Sequence, residues 1–352
     1  MEVTEHSRSE PEVKSAIDPD QQGQKPPPSP GARRILEAVW SRLRTIDVRQ
    51  IGLPIAVVAL FVLFSSTSDV FLTARNFQNV SLQAAALALV AFGQAFVILA
   101  RGLDLSVGST VAFVSVVTGL VMVDGGVLLG VLAGLAAGLG VGVVNGLVVT
   151  RLGVVPFVGT LAMLSIASGA ALTLAGGTPI VGLPESFTTL ASQRIVGVPL
   201  PAIFVIICFG VAFFFLRSTR FGRYIYAIGG NPEAARLSGI NVATMTALTY
   251  VICSLLAAFG ALILTARVAS GQPTLGASLA LESVAAVVLG GVSLFGGRGS
   301  LFGVLMGVVF VSVLGNGLNL LNVRSYTQMI ILGTALIAAV ALDRRLARRT
   351  GD

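Results

Sequence analysis

From Ile51 to Leu342 the chain reads as apolar runs divided by short polar breaks. Each run is about 16 to 22 residues long, close to the ~20 a helix needs to cross a hydrocarbon core of ~30 Å. The runs are continuous and lack the alternation of a membrane β-strand, so the pattern predicts helices and not a closed barrel. It gives about ten spans, at 51–68, 78–99, 105–123, 126–149, 155–176, 199–217, 245–265, 281–297, 299–321 and 326–342. The eighth is short and interrupted by glycine. The expected fold is an all-α polytopic membrane protein. Two groups of five spans flank the external segment 177–198. Five is odd, so the halves would have opposite orientation, as an inverted repeat of five plus five requires.

The flanks read differently. Residues 1–34 are polar and proline-rich around Pro26-Pro27-Pro28-Ser29-Pro30, which predicts a disordered tail. They carry no apolar stretch of the kind a cleavable signal peptide needs. Within 35–50, Ile35, Leu36, Val39, Trp40, Leu43 and Ile46 gather near one helical face, with Arg42 and Arg44 elsewhere. That predicts an amphipathic helix in the membrane interface, with a solvated linker helix as the alternative. Residues 51–342 form the transmembrane domain, and 343–352 a basic tail.

Charge then orients the spans. With the N-terminus inside, the even-numbered breaks hold Arg101, Arg151, Arg217, Arg220, Arg223, Arg236 and Arg298; the odd-numbered ones hold Arg75, Arg194, Arg267 and Arg324. Enrichment of basic residues on the cytoplasmic side places both termini and the loop 218–244 there. This accounts for the net charge of +7 and the pI near 10.2 without nucleic acid. Only 11% of the 352 residues are charged and 55% are hydrophobic, with a mean hydropathy of +0.90.

Little in the chain suits chemistry. His6, the only histidine, lies in the tail, so no metal site and no catalytic residue are expected. Cys208 and Cys253 sit inside spans and read as small apolar fillers, not a disulfide. Lys14 and Lys25, the only lysines, are also in the tail, so no Gly-Lys-Ser/Thr phosphate loop exists and no cofactor is expected. Proton-driven transport usually needs ionisable groups within the spans. Asp104 and Glu282 alone qualify, both near span ends. A chain that spans the membrane without an engine points to a partner that has one.

Two local patterns stand out. Gly126, Gly130, Gly134, Gly138, Gly142 and Gly146 recur every four residues and put a smooth packing stripe on the fourth span. Gly303 and Gly307 repeat the device in the ninth. In the loop after the sixth span, Asn231 is a helix cap, Pro232 suits the first helical position, and Glu233 complements the positive N-terminal end. Arg236 lies near the other end and Gly239 can take a left-handed terminating conformation. The result is a capped helix of about two turns at 231–238, too short to span. Its exposed face is left for a partner.

At these residues a family becomes visible. Glu233-Ala234-Ala235-Arg236-Leu237-Ser238-Gly239 resembles the Glu-Ala-Ala-x-x-x-Gly loop by which bacterial ABC-importer permeases dock their ATPases. The Ile-x-Leu-Pro of other branches does not follow it. Arg101-Gly-Leu-Asp-Leu-Ser-Val-Gly108 resembles the Gly-Gly-Ile-Asp-Leu-Ser-Val-Gly signature of the ribose/xylose-type carbohydrate branch, with Arg101 where that branch usually has glycine. Pro156–Ala162 and Glu282–Ser300 resemble two further motifs of that branch. The resemblance implies a permease subunit in the bacterial inner membrane. Its implied partners are a second permease copy (the same chain or a related one), cytoplasmic ATPases, an external solute-binding protein, a small solute such as a monosaccharide, and lipid. Asp104, Ser106 and Gly108 read either as a cap on the third span or as part of a wet pathway. Glu282 reads as a gate or as a cap on the eighth. Gln94, Asn145, Asn316 and Asn319 read as polar links between helices. The competing readings are a branched-chain amino-acid permease and a stand-alone secondary transporter.

Overall fold

The computed structural model describes residues 48–349, so the expectations for 1–34, most of 35–50 and the last three residues lie outside the described residues. The chain forms helices α1 (Val48–Thr67), α2 (Ala74–Leu99), α3 (Val107–Thr150), α4 (Pro156–Ala175), α5 (Leu200–Ser218), α6 (Arg220–Gly230), α7 (Pro232–Leu237), α8 (Val242–Val268), α9 (Leu279–Leu289), α10 (Leu301–Leu320) and α11 (Ser325–Arg349). Six of them, α2, α3, α4, α5, α8 and α10, are long and apolar enough to cross a membrane. Residues 52–67, 279–289 and 325–338 are shorter apolar helices. Between α4 and α5 a helical turn, Glu185–Thr188, precedes a two-residue hairpin of β1 (Arg194–Ile195) and β2 (Val198–Pro199).

α3 is 44 residues long, about 66 Å at 1.5 Å per residue and twice a bilayer core. It is in fact a hairpin. Gly126 breaks it with φ 79° and ψ 175°, a conformation open to glycine and costly for other residues. The arms 107–125 and 127–150 then run back against each other. A Cβ at Gly130 would fall 2.9 Å from the Met122 Cα; Gly134 faces Thr118, and Gly138 sits between Val114 on the other arm and, more closely, Ala258 of α8. Further along, Gly142 would meet the Val251 Cα at 2.8 Å and Gly146 the Ala247 carbonyl oxygen at 3.0 Å, both on α8. The stripe therefore serves two contacts. Gly126, counted in it by spacing, is the turn instead, with nothing within 4 Å of its Cβ position.

α2 is the axis of the molecule. Its C-terminal part, from Ala85 onward, is buried on all sides among α8, α9, α10 and α5. The α2–α8 crossing is close: a Cβ at Gly93 would lie 2.8 Å from the Cys253 Cα. Both cysteines are free thiols. Asn76 of α2 and Asn316 of α10 exchange amide hydrogen bonds at 3.0 and 2.8 Å. Gln328 donates to Asn319 at 2.8 Å.

The eighth run departs from expectation. Its helix is α9, only 11 residues and about half a bilayer long. The helix stops at Leu289 because Gly291, Gly296, Gly297 and Gly299 all take positive φ in the loop that follows. Before α9, residues 269–278 are irregular and partly buried along α3, with Ser270, Gly271 and Pro273 inside and Ala277 and Ser278 exposed: Gln272 N–H donates to Ser115 Oγ at 3.1 Å, and a Cβ at Gly108 would lie 2.8 Å from the Gly276 oxygen. Irregular backbone at membrane depth is tolerated where protein surrounds it. α11 in turn runs through Arg349, so the predicted tail at 343–352 begins within a helix.

Candidate functional site

α7 is built as its sequence predicts. Asn231 Oδ1 accepts from the N–H of Glu233 (3.0 Å) and of Ala234 (3.1 Å), and Pro232 follows at the first helical position. At the other end Gly239 (φ 82°) donates to the Arg236 carbonyl, and Ile240 to that of Ala235. These two bonds form a Schellman motif, which satisfies the last carbonyls. Ala235 is buried against the body, while Ala234 faces out and Leu237 is 77% exposed. Glu233 and Arg236 hold each other in a two-pronged ion pair (2.6 and 3.2 Å), which raises the Arg236 pKa. Their charges offset one another. The exposed surface of α7 is therefore a stiff, nearly neutral knob tipped by Leu237.

α6 precedes this knob and carries it. Read from sequence, 220–230 was only a loop, yet Phe221, Ile225 and Ile228 have helical spacing, and Thr219 caps the helix through the Gly222 N–H. Two side chains bind α6 to the rest of the molecule. The Tyr226 phenol donates to the Gly299 carbonyl at 2.9 Å; burial raises its pKa above the ordinary value, so it keeps its proton. Arg101 donates through Nε to the carbonyls of Gly229 (2.9 Å) and Phe295 (3.0 Å), and through Nη2 to Gly230 (3.1 Å). Arg101 has φ 66°, the left-handed region that explains a glycine in the corresponding position of the family motif. Here the guanidinium covers the last carbonyls of α6, where a cation also complements the helix dipole. The Gly297 N–H closes the junction on the Leu99 carbonyl at 2.9 Å.

Three residues beyond Arg101, Asp104 is fully buried. Its Oδ1 accepts from the Ser106 N–H (2.9 Å) and from Ser106 Oγ (2.6 Å), starting α3. Asn145, on the returning arm, donates to Ser106 Oγ at 2.8 Å and reaches Asp104 Oδ2 at 3.4 Å. Thr160 of α4 donates to the Leu103 carbonyl at 3.2 Å, and the Tyr250 hydroxyl of α8 lies against Gly102. The Asp-Leu-Ser motif is thus the point where both arms of α3, α4 and α8 meet. Asn145, Thr160 and Tyr250 were not linked to it by sequence, because pairs so far apart in the chain leave no local signal.

Glu282 stands apart from this junction. It lies in the first turn of α9, half-buried, beside a cavity of about 350 Å3 between α2, α9, α10 and α11. Gly108 connects the two regions: a Cβ there would meet the Gly276 oxygen at 2.8 Å, the Ala277 oxygen at 3.5 Å and the Ala280 Cβ of α9 at 3.7 Å. No group of three or more His, Cys, Asp or Glu side chains able to hold a metal occurs among the described residues.

Residues 76–340 match the family described as "Branched-chain amino acid transport system / permease component". The ribose import permease of Bacillus subtilis is 41% identical over 301 residues, covering 85% of this chain and 94% of the relative. That of Escherichia coli K12 is 40% identical over 296 residues, covering 83% and 92%. The D-allose transport system permease of the same organism is 32% identical over 319 residues, covering 88% and 93%. No solved structure matches the chain. By the extent of these matches the chain is a transport subunit and not an enzyme, and it belongs to the family of transport-system permease components that includes the bacterial ribose import permeases.

Proposed function

We propose that this chain forms the translocation pathway of an ATP-driven monosaccharide importer and receives its driving motion through α7. The observation that carries the mechanism is the short, doubly capped, exposed helix at 232–237, held by α6 against the loops at 101 and 295–299. A partner ATPase that changes shape on α7 would move α6 as a unit and, through Arg101, the Asp104 junction. The sugar assignment is supported by the ribose and allose relatives, which match over nearly the whole chain. The family description names branched-chain amino acids, and that reading is the weaker for the same reason.

The ten-span reading counts the two arms of α3 separately and adds α1, α9 and α11 to the remaining long helices. An inverted repeat gains support from the ends of α2 and α8. Each is followed by a non-glycine residue with positive φ, Arg101 (66°) and Ala269 (52°), and each then enters a partly buried irregular segment. The partners in this reading are two cytoplasmic ATPases, a second permease copy and an external solute-binding protein.

The test is reconstitution of the complete transporter in lipid vesicles, following ATP hydrolysis and uptake of pentoses and hexoses together. Gly239→Val puts a β-branched residue at a left-handed position, a strain of roughly 1–2 kcal/mol or more, and breaks the cap of α7. ATP hydrolysis should persist, or the ATPase should dissociate, while uptake falls. A Glu233→Arg/Gly239→Val double variant that binds the ATPase and transports like the parent would show the coupling assignment to be wrong.

A further inference from the structure

The cavity beside Glu282 has features that packing does not explain. Its volume of about 350 Å3 holds roughly ten waters at ~30 Å3 each, or one monosaccharide with about as many non-hydrogen atoms. Gln83, Ser278, Ser312 and Gln328 join Glu282 in its wall, with Leu87 and Leu332 among its apolar surfaces. Ser312 is 6% exposed, and its hydroxyl has no hydrogen-bond partner among the described residues. A buried polar group left unpaired costs about 1–3 kcal/mol, and alanine would fill that place on α10 without the cost. Glu282 adds a second anomaly. It sits half-buried in the first turn of α9 and lines the same cavity as Ser312. A carboxylate there faces a wet cavity or a bound solute, not lipid chains.

We propose that this cavity is a hydroxyl-reading subsite of the translocation pathway, taking a neutral polyol the size of a monosaccharide. The proposal rests on the sugar-permease reading above and adds the place and the groups that would touch the solute. Glu282 accepts from sugar hydroxyls, the Gln83 and Gln328 amides both donate and accept, and the unpaired Ser312 hydroxyl gains the partner it lacks. The leucines take the C–H face of the ring.

The experiment uses the complete transporter in vesicles, with a panel of pentoses and hexoses including D-ribose and D-allose. Glu282→Gln and Ser312→Ala each change one polar group with little change of volume. Each should lower uptake of the transported sugar about tenfold, the effect of losing one hydrogen bond of ordinary strength in a buried site. If the parent transports and both variants match it, the subsite is overturned and the permease reading stands. If the parent transports no sugar of the panel, the reading beneath the proposal falls instead. Should Glu282→Gln fail to assemble, Ser312→Cys in a Cys208→Ala/Cys253→Ala background decides the matter. Modification by a hydrophilic thiol reagent, slowed by the transported sugar, supports the subsite. A thiol that does not react, or reacts at a rate indifferent to sugar, overturns it.

Discussion

Asp104 holds a buried carboxylate without a cation within salt-bridge distance among the described residues. Its oxygens accept hydrogen bonds from Ser106 and Asn145. Such an arrangement depends on the donors being pointed at it, and removing the acceptor leaves the Ser106 N–H and O–H buried without it, at about 1–3 kcal/mol apiece, while Asn145 keeps its bond to Ser106 Oγ. Asp104→Asn keeps an acceptor oxygen for the Ser106 N–H and should retain most uptake. Asp104→Leu removes every acceptor and should lower the amount of assembled permease, measured by extraction and gel filtration. Loss of uptake by both variants at normal assembly would instead assign the residue to the pathway. Arg101 presents the opposite case, a side chain at a backbone position that glycine fills more easily. Arg101→Gly should leave the fold intact, since it relieves the left-handed φ, but it deletes the three bonds to Gly229, Gly230 and Phe295. The expected result is a fall in sugar moved per ATP hydrolysed, with hydrolysis maintained. An unchanged ratio would show that Arg101 carries no coupling.

Among the elements, the α3 hairpin makes the sharpest demand on sequence. Thr118 and Gly134 touch across its arms, and a side chain at 134 would have to occupy the space of the Thr118 hydroxyl. Gly134→Leu should therefore part the arms, with an overpacking cost of about 1–3 kcal/mol or more, and lower the melting temperature of the detergent-solubilised permease. Gly140→Leu, where nothing lies within 4 Å of the Cβ position, is the control and should change little. This hairpin was legible as two spans and a four-residue glycine stripe, because both signals are local. α7 was legible for the same reason: its caps are sequence neighbours. α9 was misjudged because hydropathy cannot see where φ turns positive; the apolar run continues through Val292 and Leu294 although the helix has stopped at Leu289. The Arg101 strut and the Asp104 junction were hidden by distance. Arg101 and Gly229 are 128 positions apart, and no periodicity connects them.

At the scale of the molecule, the hydrogen bonds between loops sort the breaks into two groups. Arg101, the end of α6 and the loop 295–299 are joined at one end by Arg101, Tyr226 and Gly297. At another, Ile180 pairs with Gly271 in both directions (2.8 and 2.9 Å), and Arg194 bonds Gln78 at the start of α2. The arginine distribution divides the breaks in the same way. The even-numbered ones, rich in arginine, contain the first group, and the second group lies among the odd-numbered ones. Backbone geometry and loop charge are independent, since one follows from packing and the other from retention of basic residues on the cytoplasmic side. Their agreement predicts that 177–198 and 269–271 share the external face, opposite 218–244. Ser192 and Ser218, both exposed, report the two sides. In a background lacking Cys208 and Cys253, Ser192→Cys should react with a membrane-impermeant thiol reagent added to intact cells. Ser218→Cys should react only after the membrane is opened. Equal labelling of the two before opening would put both breaks on one face and defeat the ten-span topology. Reversed labelling would keep the topology and turn α7 outward, away from any source of ATP.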